Sequence, residues 1–175
     1  EAPGFIRTNT LLDRGAEIGL KTALLTSKDK LRFLLKKGAS ISFSAEKPPE
    51  WIVKKIGQPP PIYSVDVNLW LFKAAEELVK KEEPDLTYIT TTDYVMHKYS
   101  PQHSESKRHM KEIDNHIQEI SEIFESRGED LLICITADHG MSEEKKAVNP
   151  ELILKKHRIQ DKPIQLLLGR FVFSG

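Results

Sequence analysis

Two short apolar runs, each ending in a polar segment with an Asp and a His, constrain this chain more than any other feature. Leu86-Thr87-Tyr88-Ile89-Thr90 leads into Thr92-Asp93-Tyr94-Val95-Met96-His97. Leu131-Leu132-Ile133-Cys134-Ile135 leads into Thr136-Ala137-Asp138-His139-Gly140-Met141. Continuous β-rich runs of this kind read as strands buried on both faces, the habit of parallel sheets covered by helices. In such sheets ligands gather just beyond the carboxyl ends of the strands. Two carboxylates and two imidazoles delivered to one edge make a donor set suited to zinc or manganese.

The spacings suit that role. Asp93 and His97 are four apart, so a chain turning helically after the strand places both on one face. Asp138 and His139 are adjacent and would point to opposite faces of a regular strand. Sharing one ion therefore requires the chain to have left the strand by Asp138, and Gly140 permits such a turn. The plainer reading makes Asp93 a helix cap and Asp138-His139-Gly140 a polar strand exit. Two such segments in the same context favour metal.

The rest of the chain alternates helices and strands. A helix is expected over 10–18, ending at Gly19, then a strand over 21–26. Ser27 or Asp29 can cap a helix through Leu31, Leu34 and Leu35 to Lys37, which Gly38 stops. Residues 47–62 hold Pro48, Pro49, Pro59, Pro60 and Pro61 and read as a loop with at most a short helix at Trp51. Val67, Leu71, Ala75, Leu78 and Val79 share one helical face before Pro84 breaks the run. Met110, Ile113, Ile117, Ile120 and Phe124 step by three and four, giving the longest helix, stopped by Gly128. The tail reads as a helix over 150–156 and a strand over 164–173, with no chemical role. This order argues an α/β fold with a mostly parallel sheet and right-handed crossovers.

Composition excludes other classes. The chain has 175 residues, 39% hydrophobic, enough for one core and one domain. With 26 basic and 26 acidic residues, nothing marks a nucleic-acid or membrane surface. No apolar run approaches the ~20 residues of a membrane span. The first residue is Glu rather than Met, so the native N-terminus is expected to lie upstream, and a signal peptide would be invisible. Cys134, the lone cysteine, is expected to be a buried core thiol, and a cytoplasmic home is favoured.

Lys28 and Lys30 flank Asp29 directly after a strand, where an ammonium can pair with an anionic substrate. The alternative is a solvated first turn of helix, where cations are mildly disfavoured. His103, His109 and His116 are expected on the surface of the long helix. Lys98 and Tyr99, next to His97, are placed to orient it.

The segments TTDYVMHKYSP, TADHGM and TSKDKLRFLL resemble the phosphonoacetate hydrolases of the alkaline phosphatase superfamily, in its nucleotide pyrophosphatase/phosphodiesterase-like branch. The resemblance runs from about Phe5 to Met141 and weakens after Ser142. It implies an alkaline phosphatase-like core and two divalent ions, most often Zn2+ with Mn2+ as the alternative. Asp93 and His97 match ligands of one ion, and Asp138 and His139 match ligands of the other. It also assigns Lys28 and Lys30 to the substrate's carboxylate. The family's nucleophilic Thr and a further metal-binding Asp lie upstream of anything here, so no catalytic nucleophile is expected in this chain. The family's last metal-binding His follows a Gly-x context, which His157 in Lys155-Lys156-His157-Arg158 lacks. Residues 1–175 therefore read as one partial, incomplete domain.

The implied activity is hydrolysis of the C–P bond of phosphonoacetate to acetate and phosphate by the parent enzyme. The expected partner is a small anionic phosphonate, with no nucleic acid or membrane, and a homodimer stays open. Two alternatives remain: a metal-dependent phosphodiesterase/nucleotide pyrophosphatase, and a non-catalytic metal-binding α/β domain.

Overall fold

A computed structural model of the chain describes residues 6–142 and Lys156. The helix and strand expected over 150–156 and 164–173 lie outside the described residues, Lys156 apart. In chain order the elements are α1 (Leu11–Glu17), β1 (Thr22–Thr26), α2 (Asp29–Leu35), β2 (Ile41–Ser44), α3 (Glu50–Ile56) and α4 (Val67–Glu82). Then follow β3 (Leu86–Thr90), α5 (Tyr94–Lys98) and α6 (Ser104–Arg127). Strand β2 carries only four residues and had no clear sequence signal.

The described sheet has three parallel strands in the order β2-β1-β3. Leu24 sits opposite Ser42 on one side and Tyr88 on the other. As the centre strand, β1 is buried along its whole length. Ala23 and Leu25 face the core beneath α4, together with Phe43, Ile52, Leu71, Ala75 and Leu78. On the opposite face α1 approaches so closely that a Cβ at Gly15 would lie 3.0 Å from a Thr22 methyl. Both faces of the sheet thus carry helices, as parallel strands require.

Local chemistry explains the element ends. Thr10 and Asp13 form a reciprocal capping box at α1: the Asp13 N–H donates to Thr10 Oγ1, and the Thr10 N–H donates to Asp13 Oδ2 at 2.8 Å. Gly38 turns at φ +75 against α1, where a Cβ would lie 2.5 Å from the Asp13 nitrogen. Gly128 closes α6: its N–H donates to Glu125 O and the Glu129 N–H donates to Phe124 O, a Schellman pair.

Several expectations are corrected. Residues 131–135 form no strand; Leu132 is 87% and Ile135 78% exposed. β-propensity describes fit to a covered, paired surface, and this run has neither a ladder partner nor cover in the described structure. Cys134 is accordingly exposed rather than buried. His109 and His116 are buried, not superficial, whereas Met110 is exposed. The buried face of α6 runs through Ser106, His109 and His116, because α4 offers polar partners there. Lys28 takes the N-cap position of α2 with no side-chain cap bond, in place of Ser27 or Asp29.

Candidate active-site edge

The carboxyl ends of β1 and β3 lie side by side, so the chain exits carrying Lys28–Lys30 and Asp93–His97 are neighbours. The Ser27 N–H donates to Thr90 O at 3.1 Å, carrying the ladder one residue past the end of β1. A buried amide then ties the two exits together. Asn68, on the first turn of α4, donates from Nδ2 to Thr92 O at 2.7 Å. Its Oδ1 accepts from the Thr92 N–H at 2.9 Å and from Ser27 Oγ at 3.1 Å. His109 Nε2 stands 3.2 Å from the same Nδ2. Burial, with the Arg108 charge behind it, holds the His109 pKa below the usual imidazole value, so the neutral ring accepts from the amide.

Asp93 occupies the N-cap position of α5, and its Oδ2 lies 2.7 Å from His97 Nε2 one turn later. Both side chains are about two-thirds exposed, at 64% and 61%. The i, i+4 spacing does bring carboxylate and imidazole to one point. Asp93, rather than Lys98 or Tyr99, holds the His97 ring; the Lys98 ammonium lies 5.5 Å from the Tyr94 and Tyr99 rings.

Asp138 and His139 are exposed. The His139 N–H donates to Asp138 Oδ1 at 3.0 Å, and the His139 ring lies 2.8 Å from Gly140 O through Nδ1. The chain bends at Asp138, and Gly140 does not use a left-handed φ. The Gly140 carbonyl, then Asp138, raise the His139 pKa, and Asp93 adds to the rise. No three of these four residues bring their donor atoms within 4.8 Å of one another among the described residues; Glu76, His116 and Glu119 do.

Lys28 is half-buried and Lys30 exposed. The Lys28 ammonium sits 5.3 Å from the Tyr63 ring centroid, and Tyr63 lies 6.2 Å from Tyr94. An aromatic pair therefore links the lysine-bearing exit to α5. Between the lysines, Asp29 is fully engaged: Arg32 Nε at 2.6 Å, Lys47 Nζ at 2.7 Å and Ser44 Oγ at 3.1 Å. The Arg32 bond, then that of Lys47, hold its carboxyl well below the usual range. Asp29 is thus an anchor between the start of α2 and the end of β2.

Asn68 and His109 were missed from the sequence, though a signal existed. Asn68 stands three and seven residues before Leu71 and Ala75, on their buried face. His109 and His116 are seven apart, in phase with Ile113 and Ile120. A polar residue at a core position asks for a buried partner.

Residues 11–170 match the family of type I phosphodiesterases/nucleotide pyrophosphatases, and the chain belongs to that family of hydrolases. Its fold is the incomplete α/β core of the alkaline phosphatase-like, metal-dependent superfamily. Among solved structures it is similar to the phosphonoacetate hydrolase from Sinorhizobium meliloti 1021, determined in complex with phosphonoacetate and with phosphonoformate. In both comparisons the identity is 31% and the TM-score 0.62, over 69% of this chain and 33% of that one. The chain spans about a third of the length of that hydrolase.

Proposed function

We propose that this chain carries the central part of the active site of a metal-dependent enzyme that hydrolyses the C–P bond of phosphonoacetate. The observation that carries the reading is the neighbouring exit of β1 and β3, from which the chain continues into Lys28–Lys30 on one side and Asp93–His97 on the other. The similarity to a hydrolase solved with phosphonoacetate supports it. Asp93 with His97, and Asp138 with His139, are the donors assigned to two divalent ions, zinc before manganese. Their oxygen and imidazole donors are of the type zinc takes, and each pair supplies two of the usual four positions. Bound there, the ions would neutralise the phosphonate oxygens and lower the pKa of an attacking hydroxyl.

Lys28 and Lys30 are assigned to the carboxylate. As the attacking oxygen bonds to phosphorus, the C–P electron pair passes to the methylene carbon. The resulting enediolate is stabilised by the two ammonium groups and takes a proton to become acetate. Water then releases phosphate. The attacking Thr and the remaining metal ligands are proposed to come from segments outside this sequence, leaving residues 1–175 as one partial domain.

The family match favours a second reading, a phosphodiesterase or nucleotide pyrophosphatase, for which the two lysines have no carboxylate to hold. Assay of the complete enzyme on phosphonoacetate and on bis(p-nitrophenyl) phosphate separates the two. Preferential phosphate release from phosphonoacetate supports C–P cleavage. Preferential nitrophenol release overturns it.

A further inference from the structure

Well away from the Asp/His edge, three ligand-type side chains join α4 to α6. Glu76 Oε1 lies 2.6 Å from His116 Nδ1, and Glu119 Oε2 lies 3.3 Å from the same nitrogen. All three donor atoms lie within 4.8 Å of one another. Glu76 is eight residues beyond Asn68 on α4, about 12 Å along the axis at 1.5 Å per residue. The His116 ring is parallel to the Phe72 ring, with 2° between planes and 6.3 Å between centroids, which fixes its orientation. His116 and Glu76 are 9% and 11% exposed in their side chains, while Glu119 is 55% exposed.

This arrangement asks one nitrogen to serve two carboxylates. A proton on Nδ1 lies in line for Glu76 at 2.6 Å and leaves Glu119 a long, shared contact. With both carboxylates ionised, a single imidazolium cannot balance them, and negative charge is left half inside the protein. Glu122 lines the same groove and deepens that charge, and Lys80, the cation beside it, already pairs with Glu77 at 3.2 Å. Burial pushes the Glu76 carboxyl up, the His116 imidazole pulls against it, and the Glu119 carboxylate adds to the rise. Burying unbalanced charge is costly, and a cation removes the imbalance.

We propose that Glu76, His116 and Glu119 bind a divalent transition-metal ion, with zinc preferred, as a structural clip between α4 and α6. One imidazole nitrogen and two carboxylate oxygens are a donor set that zinc accepts, and water from the open groove completes four positions. Donors at about 2.0–2.1 Å from a tetrahedral zinc stand roughly 3.3 Å apart, which is the Glu119–His116 separation. The Glu76 oxygen must retreat by about 0.7 Å as the ion displaces the shared proton. Rotation of one side chain at the groove wall supplies that movement. His116-x-x-Glu119 is an i, i+3 pair on one helix face, and Glu76 faces it from the neighbouring helix, as in metal sites built between helices.

The experiment uses the 175-residue chain bearing His97→Ala and His139→Ala, which removes both imidazoles of the strand-end edge. After chelator treatment it is dialysed against zinc at pH 7.5, passed through gel filtration and analysed for metal content and for melting temperature with and without zinc. Retention of about one zinc per chain, with a zinc-dependent rise in melting temperature, is the expected result. Adding Glu119→Gln at this exposed position should lower zinc affinity by at least about tenfold and abolish the rise. Adding Glu122→Gln instead should leave affinity within about twofold, because that carboxylate adds charge but no bond. Two outcomes overturn the proposal: no zinc retained by the His97→Ala/His139→Ala chain, or equal losses from Glu119→Gln and Glu122→Gln. The first reduces the cluster to a proton-sharing ion pair, the second to diffuse attraction.

Discussion

The side-chain amide of Asn68 closes a two-way hydrogen bond with the backbone of Thr92, donating at 2.7 Å and accepting at 2.9 Å. Thr92 precedes Asp93, and the same amide oxygen accepts from Ser27, which precedes Lys28. One buried residue of α4 therefore sets the spacing between the lysine-bearing exit and the first Asp/His pair. Asn68→Ala should cost about 1–3 kcal/mol in urea unfolding, since it removes the partner of the part-buried Thr92 N–H and C=O. A loss below about 0.5 kcal/mol would mean that water replaces the amide without penalty.

Lys28→Ala or Lys30→Ala, made in the complete enzyme, should damage turnover of phosphonoacetate more than turnover of a substrate lacking the carboxylate. A charge-assisted contact of roughly 1.5–3 kcal/mol corresponds to about one to two orders of magnitude in kcat/KM. Equal losses on both substrates would show that the lysines do not read the carboxylate.

Asp29 makes stability depend on acid pH. Its folded pKa is depressed by Arg32 and Lys47, so its contribution is fully present above the ordinary carboxylate value near 4 and fades as pH falls below it. Asp29→Asn should lower stability at pH 7 by about 1–3 kcal/mol and flatten the acid limb of the stability curve. Urea midpoints measured from pH 7 down to pH 2 check both, and parallel curves for the two proteins would contradict the assignment.

Cys134 should react with a thiol reagent such as dithionitrobenzoate in the folded chain nearly as fast as after unfolding in urea, because its run is exposed. Strong protection, relieved only by urea, would place residues 131–135 in a sheet after all.

The chain by itself, purified with excess zinc, should release no phosphate from phosphonoacetate above background. Two donors per ion bind zinc weakly, and no hydroxyl nucleophile is assigned within it. Zinc-dependent phosphate release would show that a residue of this chain attacks.

Local sequence determined those parts of the protein whose signals are local. The capping box at Thr10, the Pro84 break, the Gly128 stop and the apolar stripe of α4 all follow from neighbours within one or two turns, and the strands at β1 and β3 follow from β-rich runs. The i, i+4 spacing likewise sufficed to bring His97 onto Asp93. Tertiary structure decided what depends on partners far along the chain. Residues 131–135 have the composition of a strand, but a strand exists only where another strand and a covering layer complete it. His109 and His116 read as polar surface until α4 supplies Asn68 and Glu76 as buried partners, 41 and 40 residues away. Desolvation and long-range hydrogen bonds are properties of the assembled layers, so the clamp behind the candidate active-site edge and the cluster between α4 and α6 emerge only from the fold.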